Sequence, residues 1–275
     1  MKELLQVKNL CFAYDEKTIL KQINVSICRG ERIAVMGSNG AGKSTFFLNL
    51  NGVLQPDSGE ILLEGKTLKK KDFKELHRRG GFVFQDADSQ IIASNVKAEI
   101  SFGPMNLGLS KEEVRNRVAA AIEYMELSRL ADRAPQYLSG GEKKRVSIAD
   151  ILAMETDVLI FDEPMAALDP VNAQNVESIL KRLHGDGKTL LIATHDVDFA
   201  YRYADRILVF SDGEIIADST PQEVFHRKEI LERAHLKAPA VMTVWEALEQ
   251  KGFVKKGTGY PVTAEELVEK LSVEI

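Results

Sequence analysis

The sequence predicts an α/β fold: a parallel sheet with flanking helices, preceded by an antiparallel β subdomain and followed by a small C-terminal helical extension. Three observations carry that reading. Up to Gly42 the chain consists mainly of short β-type runs separated by turns; after it, helical stretches alternate with apolar, β-branched runs; beyond Pro221 the strand signals stop.

The opening runs are "LLQVKNLCFAY", "INVSICRGERIAVMG" and, slightly later, "GEILLEG". The turns "RGE" and "DSGE" supply the glycine that a tight reversal favours. From "GKSTFFLNLNGVL" onward helix alternates with strand. The runs "GGFVFQ", "DVLIFDEP", "TLLIATHD" and "RILVFSDG" are apolar throughout, as strands buried on both faces are. Between them "SKEEVRNRVAAAIEYM" reads as a helix, with Ser110 as cap and Glu113 completing a capping box. The tail runs "PQEVFHRKEILERAHL", "TVWEALEQKG" and "TAEELVEKLSVEI" read as helices, and Thr263 with Glu266 suits a second capping box. The expected organisation is one domain over 1–222 and an extension over 223–275.

Bulk properties narrow the classes. A 275-residue chain that is 44% hydrophobic and 28% charged has the balance of a soluble globular protein. A net charge of −5 gives no reason to expect a nucleic-acid surface, which is strongly basic. The basic stretch from Lys69 to Arg79 is expected to be solvated helix and loop. Cys11 and Cys28 make neither a CxxC motif nor a metal spacing and are expected to be buried thiols in a reducing compartment. The start "MKELLQVKNL" lacks the apolar core of a signal peptide, and no apolar stretch approaches the ~18 residues of a membrane span. Any membrane role is expected to come through a partner.

"GSNGAGKST", from Gly37 to Thr45, fits the phosphate-binding pattern G-x-x-x-x-G-K-[ST], between the strand "ERIAVM" and the helix "FFLNLNGVL". Gly37, Gly40 and Gly42 let the backbone curl so that successive amides, those of Ser38, Asn39 and Ala41 included, can face phosphate oxygens. The helix start adds favourable potential. Lys43 supplies a point charge to the β- and γ-phosphates, and Ser44 offers a hydroxyl to Mg²⁺. "DVLIFDEP" sets Asp162 and Glu163 at the end of an apolar strand, where ligands sit in open α/β sheets. Asp162 suits the Mg²⁺ through water, and Glu163 suits a base for an attacking water. His195, ending "LLIATH", can hydrogen-bond a γ-phosphate oxygen, and Gln85, ending "GGFVFQ", can complete the metal shell. A second helix start, "LSGGE" from Leu138 to Glu142, also has the makings of an anion site.

In this order the motifs resemble the nucleotide-binding subunit of an ATP-binding-cassette transporter, over about Leu4 to Pro221. The resemblance implies the P-loop ATPase cassette fold with a helical signature subdomain. It implies that Tyr14 stacks on adenine, that Gln85 is the Q-loop glutamine, that Ser139, Gly140, Gly141 and Glu142 form the signature, and that His195 is the switch histidine. Ala166 to Asp169, "AALD", matches the D-loop. It further implies head-to-tail pairing, in which the signature of one cassette closes on the ATP held by the other. That is why one chain carries two cradles.

"QDADSQ" and "LKAPAVMTVWEAL" are similar to segments of energy-coupling factor cassettes. These work with a second cassette, a transmembrane coupling protein and a substrate-capturing membrane protein, peripherally on the cytoplasmic face of the membrane. The stretch from His195 to Phe225 resembles the cobalt and nickel cassettes, which are homodimers; vitamin systems, many with two related cassettes, stay open. So does a soluble cassette of iron–sulfur cluster assembly. Ala87 stands where the group has proline, Met165 and Ala167 where Thr and Gly are usual, and Asp150 where a small residue is usual.

Overall fold

A computed structural model describes residues 2–255, 257 and 259–274. The first subdomain is an antiparallel sheet of β1 (Glu3–Tyr14), β2 (Lys17–Cys28), β4 (Ser58–Leu63) and β5 (Lys66–Thr67), in the order β2-β1-β4-β5. The second sheet has six strands in the order β10-β9-β3-β8-β7-β6. Five are parallel: β3 (Arg32–Gly37), β6 (Gly80–Val83), β7 (Val158–Asp162), β8 (Thr189–Ala193) and β9 (Arg206–Ser211). β10 (Glu214–Ser219) returns antiparallel to β9 across a turn at Asp212 and Gly213. The β7 run Val158 to Phe161 and all of β8 are buried, which explains why those strands read as unbroken apolar runs.

Parallel pairing fixes where the strands end. Asp162 is level with Ala193, Val35 with Ala193, and Val83 with Phe161. The residues that follow each strand therefore emerge along one edge of the sheet. α1 (Lys43–Leu50) leaves β3 at that edge, with Phe46, Phe47 and Leu50 buried beneath it. α2 (Phe73–Arg79) buries Phe73 and Leu76 and exposes Lys74, His77 and Arg78, whereas Arg79 is partly buried and paired with Asp157.

α3 (Val96–Asn106), α4 (Lys111–Tyr124) and α5 (Gly140–Ala153) form a helical layer. Val96, Ile100, Val118, Ile122, Val146 and Ile148 share one core with Leu159, Phe161 and Leu190 of the sheet. α6 (Pro170–Gly185) and α7 (Val197–Tyr203) complete that side. The tail supplies α8 (Pro221–His226), α9 (Lys228–Ala234), α10 (Ala240–Gln250) and α11 (Ala264–Glu274). Val224, Phe225, Leu231 and Met242 pack with Ala34 and Met36 of β3 and Ile207 and Val209 of β9, so the extension covers a face of the central sheet. Among the described residues no helix is long and apolar enough to cross a membrane.

Several local expectations need correction. The first tail run is two helices, broken at Arg227 where the backbone is extended (φ −90°, ψ 93°). The Ser110 hydroxyl accepts from the Glu113 amide at 3.2 Å, but the Glu113 carboxylate pairs with Arg117 instead of closing a capping box. The Thr263 hydroxyl accepts from the Glu266 amide at 3.2 Å, while the Glu266 carboxylate accepts from the Val262 amide, one residue before the cap. Cys11 and Cys28 are free and only partly buried. Asn9 adopts φ 48° where the β1 register shifts, and Leu10 and Phe12 turn inward beside Cys11, which is left on the outer side.

Asp150 has a structural consequence. Its side chain lies between α5 and α3 near the buried Glu99, and its Oδ1 has no hydrogen-bond partner. The helices meet closely: a Cβ on Gly103 would lie 2.6 Å from Met154 Cγ and 3.4 Å from Asp150 Oδ1. Burial first, and the Glu99 charge second, raise the Asp150 pKa to about 7. An unfolded aspartate titrates near 3.9, so the folded state holds the proton more tightly. The resulting stabilisation is complete below about pH 4 and is lost as pH rises through about 7. Asp150→Asn should therefore raise stability, and the gain at pH 8 should exceed that at pH 5 by about 2 kcal/mol. Denaturant unfolding at the two pH values measures this; an equal gain at both would place the proton elsewhere.

Candidate active site

The phosphate-loop segment turns back on itself through glycine. Gly37, Gly40 and Gly42 have φ of 138°, 79° and 105°. A Cβ at Gly37 would sit 2.1 Å from the Phe210 carbonyl oxygen, so close approach to β9 demands glycine there. Gly40 has nothing within 4 Å of its Cβ position, and its requirement is conformational. Gly42 caps α1 with backbone alone, and no side chain occupies the helix start. Lys43 is 7% exposed, and its ammonium donates to the carbonyls of Gly37 at 2.7 Å and Ser38 at 3.0 Å. Burial lowers its pKa, opposed by the charges of Glu163 and Asp162.

A cavity of about 660 Å³ opens in front of this loop. Asn39, Gly40 and the run Gly42 to Thr45 form one wall, and Gln85, Asp162, Glu163, Ala166 and His195 form the other. Residues separated by more than a hundred positions are thus brought together. Gly37, Ser38 and Ala41 complete the loop but are not part of the lining. The Ser44 hydroxyl donates to Asp162 Oδ2 at 2.7 Å. A hydroxyl, a carboxylate and the Gln85 amide form an oxygen donor set of the kind Mg²⁺ takes, and none displaces phosphate. Among the described residues no cluster of three or more His, Cys, Asp or Glu could hold a metal by itself.

Glu163 is the most perturbed group in the cavity. It sits at φ 45°, a strained conformation for a non-glycine residue, and its amide donates to the Ala193 carbonyl at 3.1 Å. Burial raises its pKa to about 7, opposed first by the His195 amide, which donates to Oε2 at 3.4 Å. His195 Nε2 approaches Oε1 to 3.3 Å without the alignment of a hydrogen bond, which leaves Oε1 buried and unpaired. Burial lowers the His195 pKa, with the charge of Lys43 contributing, so the imidazole is neutral near pH 7.

The remaining expected residues lie outside this lining. Tyr14 ends β1, 46% exposed, with its ring edge-on to Phe12 at 4.9 Å. Ser139 caps α5 in a reciprocal capping box: its hydroxyl accepts from the Glu142 amide at 3.3 Å, and the Glu142 carboxylate accepts from the Ser139 amide at 2.7 Å. Ser139 and Gly140 are exposed at the helix start, whereas Gly141 is buried, and a Cβ there would lie 2.1 Å from Asn172 Oδ1. The structure also reveals a polar residue that sequence reasoning passed over, Lys144, 2% exposed, with its ammonium on the carbonyls of Phe84 and Gln85. Its only sequence signal is a double lysine in a helix, which reads as solvated surface.

The family profile described as ABC transporter matches residues 20–166. An energy-coupling factor transporter ATP-binding protein, EcfA, of Methanocaldococcus jannaschii is 44% identical over 262 residues, covering 94% of each chain. The solved structure of CbiO1 from Clostridium perfringens, part of the ABC transporter complex CbiONQ, is 39% identical with a TM-score of 0.76, over 90% of this chain and all of that one. The chain belongs to the ATP-binding-cassette transporter ATPases of the energy-coupling factor type. A dimeric ATP-binding cassette solved in a post-hydrolysis state with ADP and phosphate is also similar, at 30% identity and TM-score 0.69, over 79% of this chain and 99% of that one.

As a cassette ATPase the chain binds and hydrolyses ATP, and the cavity before Lys43 has the volume and polarity for a nucleotide's phosphates. Lys43→Ala removes the buried cation facing that space. ATP affinity measured by calorimetry should fall at least about a hundredfold. Near-parental affinity would remove Lys43 from the phosphate site.

Proposed function

We propose that this cassette powers import of cobalt or nickel ions through closing and opening of a cassette pair. In this reading it sits peripherally on the cytoplasmic face of the membrane, joined to a transmembrane coupling protein and a substrate-capturing membrane protein. The CbiO1 neighbour, part of a CbiONQ complex, and the resemblance over His195 to Phe225 favour this cargo over a vitamin. Membership of the energy-coupling factor group favours transport over a soluble assembly ATPase.

One observation carries the chemistry: the buried, unpaired Oε1 of Glu163, on the wall facing Lys43 and Ser44. That oxygen is placed to accept a proton from a water attacking the γ-phosphorus, as the bond from phosphorus to the ADP oxygen breaks. Lys43 holds the β- and γ-phosphates, and the loop amides from Gly37 to Thr45 hold their oxygens. His195, neutral, contacts the γ-phosphate and steadies Glu163. Ser44, Asp162 and Gln85 would hold Mg²⁺, which would supply charge neutralisation at the phosphates. Tyr14 stacks on the adenine.

The start of α5 serves the other subunit's nucleotide. Ser139, Gly140 and Gly141 present a helix N-terminus outside the cavity of their own chain, and Glu142 holds that start in its capped form. Loss of the γ-phosphate removes the group bridging the two halves, which converts hydrolysis into opening.

Glu163→Gln should slow hydrolysis by ~10² or more while sparing ATP binding, since general-base help is worth 10²–10⁴. It should hold an ATP-bound dimer and, in vesicles carrying the assembled transporter, abolish cobalt or nickel accumulation. Parental turnover would mean that Glu163 is not the base.

Ser139→Arg should leave ATP binding to the monomer intact but block ATP-dependent dimerisation and hydrolysis. Mixed with Lys43→Ala, it should regain part of the activity, because one composite site in the mixed dimer then has an intact loop and an intact helix start. A Ser139→Arg protein that dimerises and turns over normally rules out the pairing.

A further inference from the structure

We infer that Lys144 is a positioning residue that ties the helix carrying Ser139 to the loop carrying Gln85, so that closure of the partner's site is felt in the chain's own cavity. The inference rests on the proposed roles of Ser139 and Gln85 and adds the link between them.

Lysine is almost never fully buried without a partner, yet Lys144 is 2% exposed and, among the described residues, meets no carboxylate within ion-pair distance. Its ammonium donates instead to two consecutive backbone carbonyls, Phe84 at 2.9 Å and Gln85 at 2.8 Å. The reason lies in the sheet. β6 is an edge strand whose pairing with β7 ends at Val83, so the carbonyls that follow have no neighbouring strand to bond. A charge-assisted donor from α5 satisfies both.

Two further bridges join the same helix to the same loop. Lys143 Nζ lies 2.5 Å from Asp88 Oδ1. The Gln90 side chain accepts from the Phe84 amide at 3.2 Å and donates to the Ser147 carbonyl at 3.5 Å. Residues 143, 144 and 147 of α5 therefore hold the loop from Phe84 to Gln90 at several points, with Lys144 acting on the backbone of Gln85.

At its start α5 is confined as well. Gly141 lies against Asn172, whose amide donates to Asp169 Oδ2 at 2.5 Å, so the helix start rests on the segment that follows Ala166. Lys144 is five residues beyond Ser139, about 7.5 Å along a rigid helix. When a phosphate settles on the Ser139 end, any rotation or shift of α5 carries the ammonium with it. The Phe84 and Gln85 carbonyls follow, and with them the Gln85 side chain at the cavity wall.

The test is a double-mutant cycle on the full chain, read as kcat, ATP affinity and melting temperature. Lys144→Met keeps the apolar stem and removes the donor. Its kcat should fall about tenfold with ATP affinity within about twofold, and Lys144→Arg should recover part of the rate. Gln85→Ala should be slow by itself, and the double variant no slower than Gln85→Ala. Multiplied losses in the double variant, or a parental kcat in Lys144→Met, overturn the inference while leaving the role of Gln85 standing. A parental rate in Gln85→Ala overturns that role and the inference together. If Lys144→Met does not fold, Lys144→Gln, neutral and shorter in reach, enters the same cycle with the same outcomes.

Discussion

The in-register parallel pairing of β6, β7, β8 and β3 is the constraint on which the rest of the structure depends. Strands paired this way end together, and each end here delivers a different chemical group. β3 delivers the loop before Lys43, β6 delivers Gln85, β7 delivers Asp162 and Glu163, and β8 delivers His195. A slip of one residue between β7 and β8 would turn the inner face of one strand outward and break the level alignment of Asp162 with Ala193. Full burial of both faces makes such a slip costly, because every apolar side chain would have to repack. The site is precise because the core beneath it is apolar and closely packed.

Polar groups at that edge are held in unfavourable surroundings. Burial weakens the ionised forms of Lys43, Glu163 and Lys144, yet each faces the nucleotide cavity or a loop that borders it. Glu163 adds backbone strain at φ 45° and an oxygen without a partner. Groups perturbed in this way gather at functional sites. A base held near neutrality in a partly dry cavity is suited to accept a proton at physiological pH, and a cation so placed acts on phosphate more strongly than one in water. The fold tolerates these groups because Leu190, Leu191 and Ile192 of β8 and Leu159, Ile160 and Phe161 of β7 stabilise it directly behind them.

Much of this was legible in the sequence because its signals are local. Glycine spacing, the lysine and hydroxyl after it, and an acidic pair closing an apolar strand are each read within a few residues, and parallel topology brings them together. Tertiary relations were not legible. Nothing around Lys144 distinguishes a buried cation from a solvated one, because its partners are backbone carbonyls sixty residues away, which every residue type carries. The burial of Asp150 depends on Gly103 letting α3 approach α5. The capping boxes at Ser110 and Thr263 were read from spacing, but side chains compete: Arg117 draws Glu113 away, and the Val262 amide takes the Glu266 carboxylate. The break at Arg227 carries no proline or glycine and is a feature of tertiary packing.

The proposed pairing of subunits accounts for two cradles in a single chain. Each cradle is a helix start, and α1 shares one cavity of its own subunit with Lys43 and the strand-end residues. α5 is not completed in this way: its start is exposed at Ser139 and Gly140, carries no lysine toward solvent there, and has its only acidic residue, Glu142, folded back on the Ser139 amide. A helix start alone contributes roughly 0.3–1 kcal/mol toward an anion, too little to hold a phosphate by itself. In the proposed pairing such a site is occupied only when something else brings the phosphate to it, as a nucleotide already fixed by the first cradle of another chain would. Weak intrinsic affinity is then useful. It would keep the second cradle empty of free phosphate and let it release once the γ-phosphate has gone, so that in this proposal the pairing of subunits follows the state of the nucleotide.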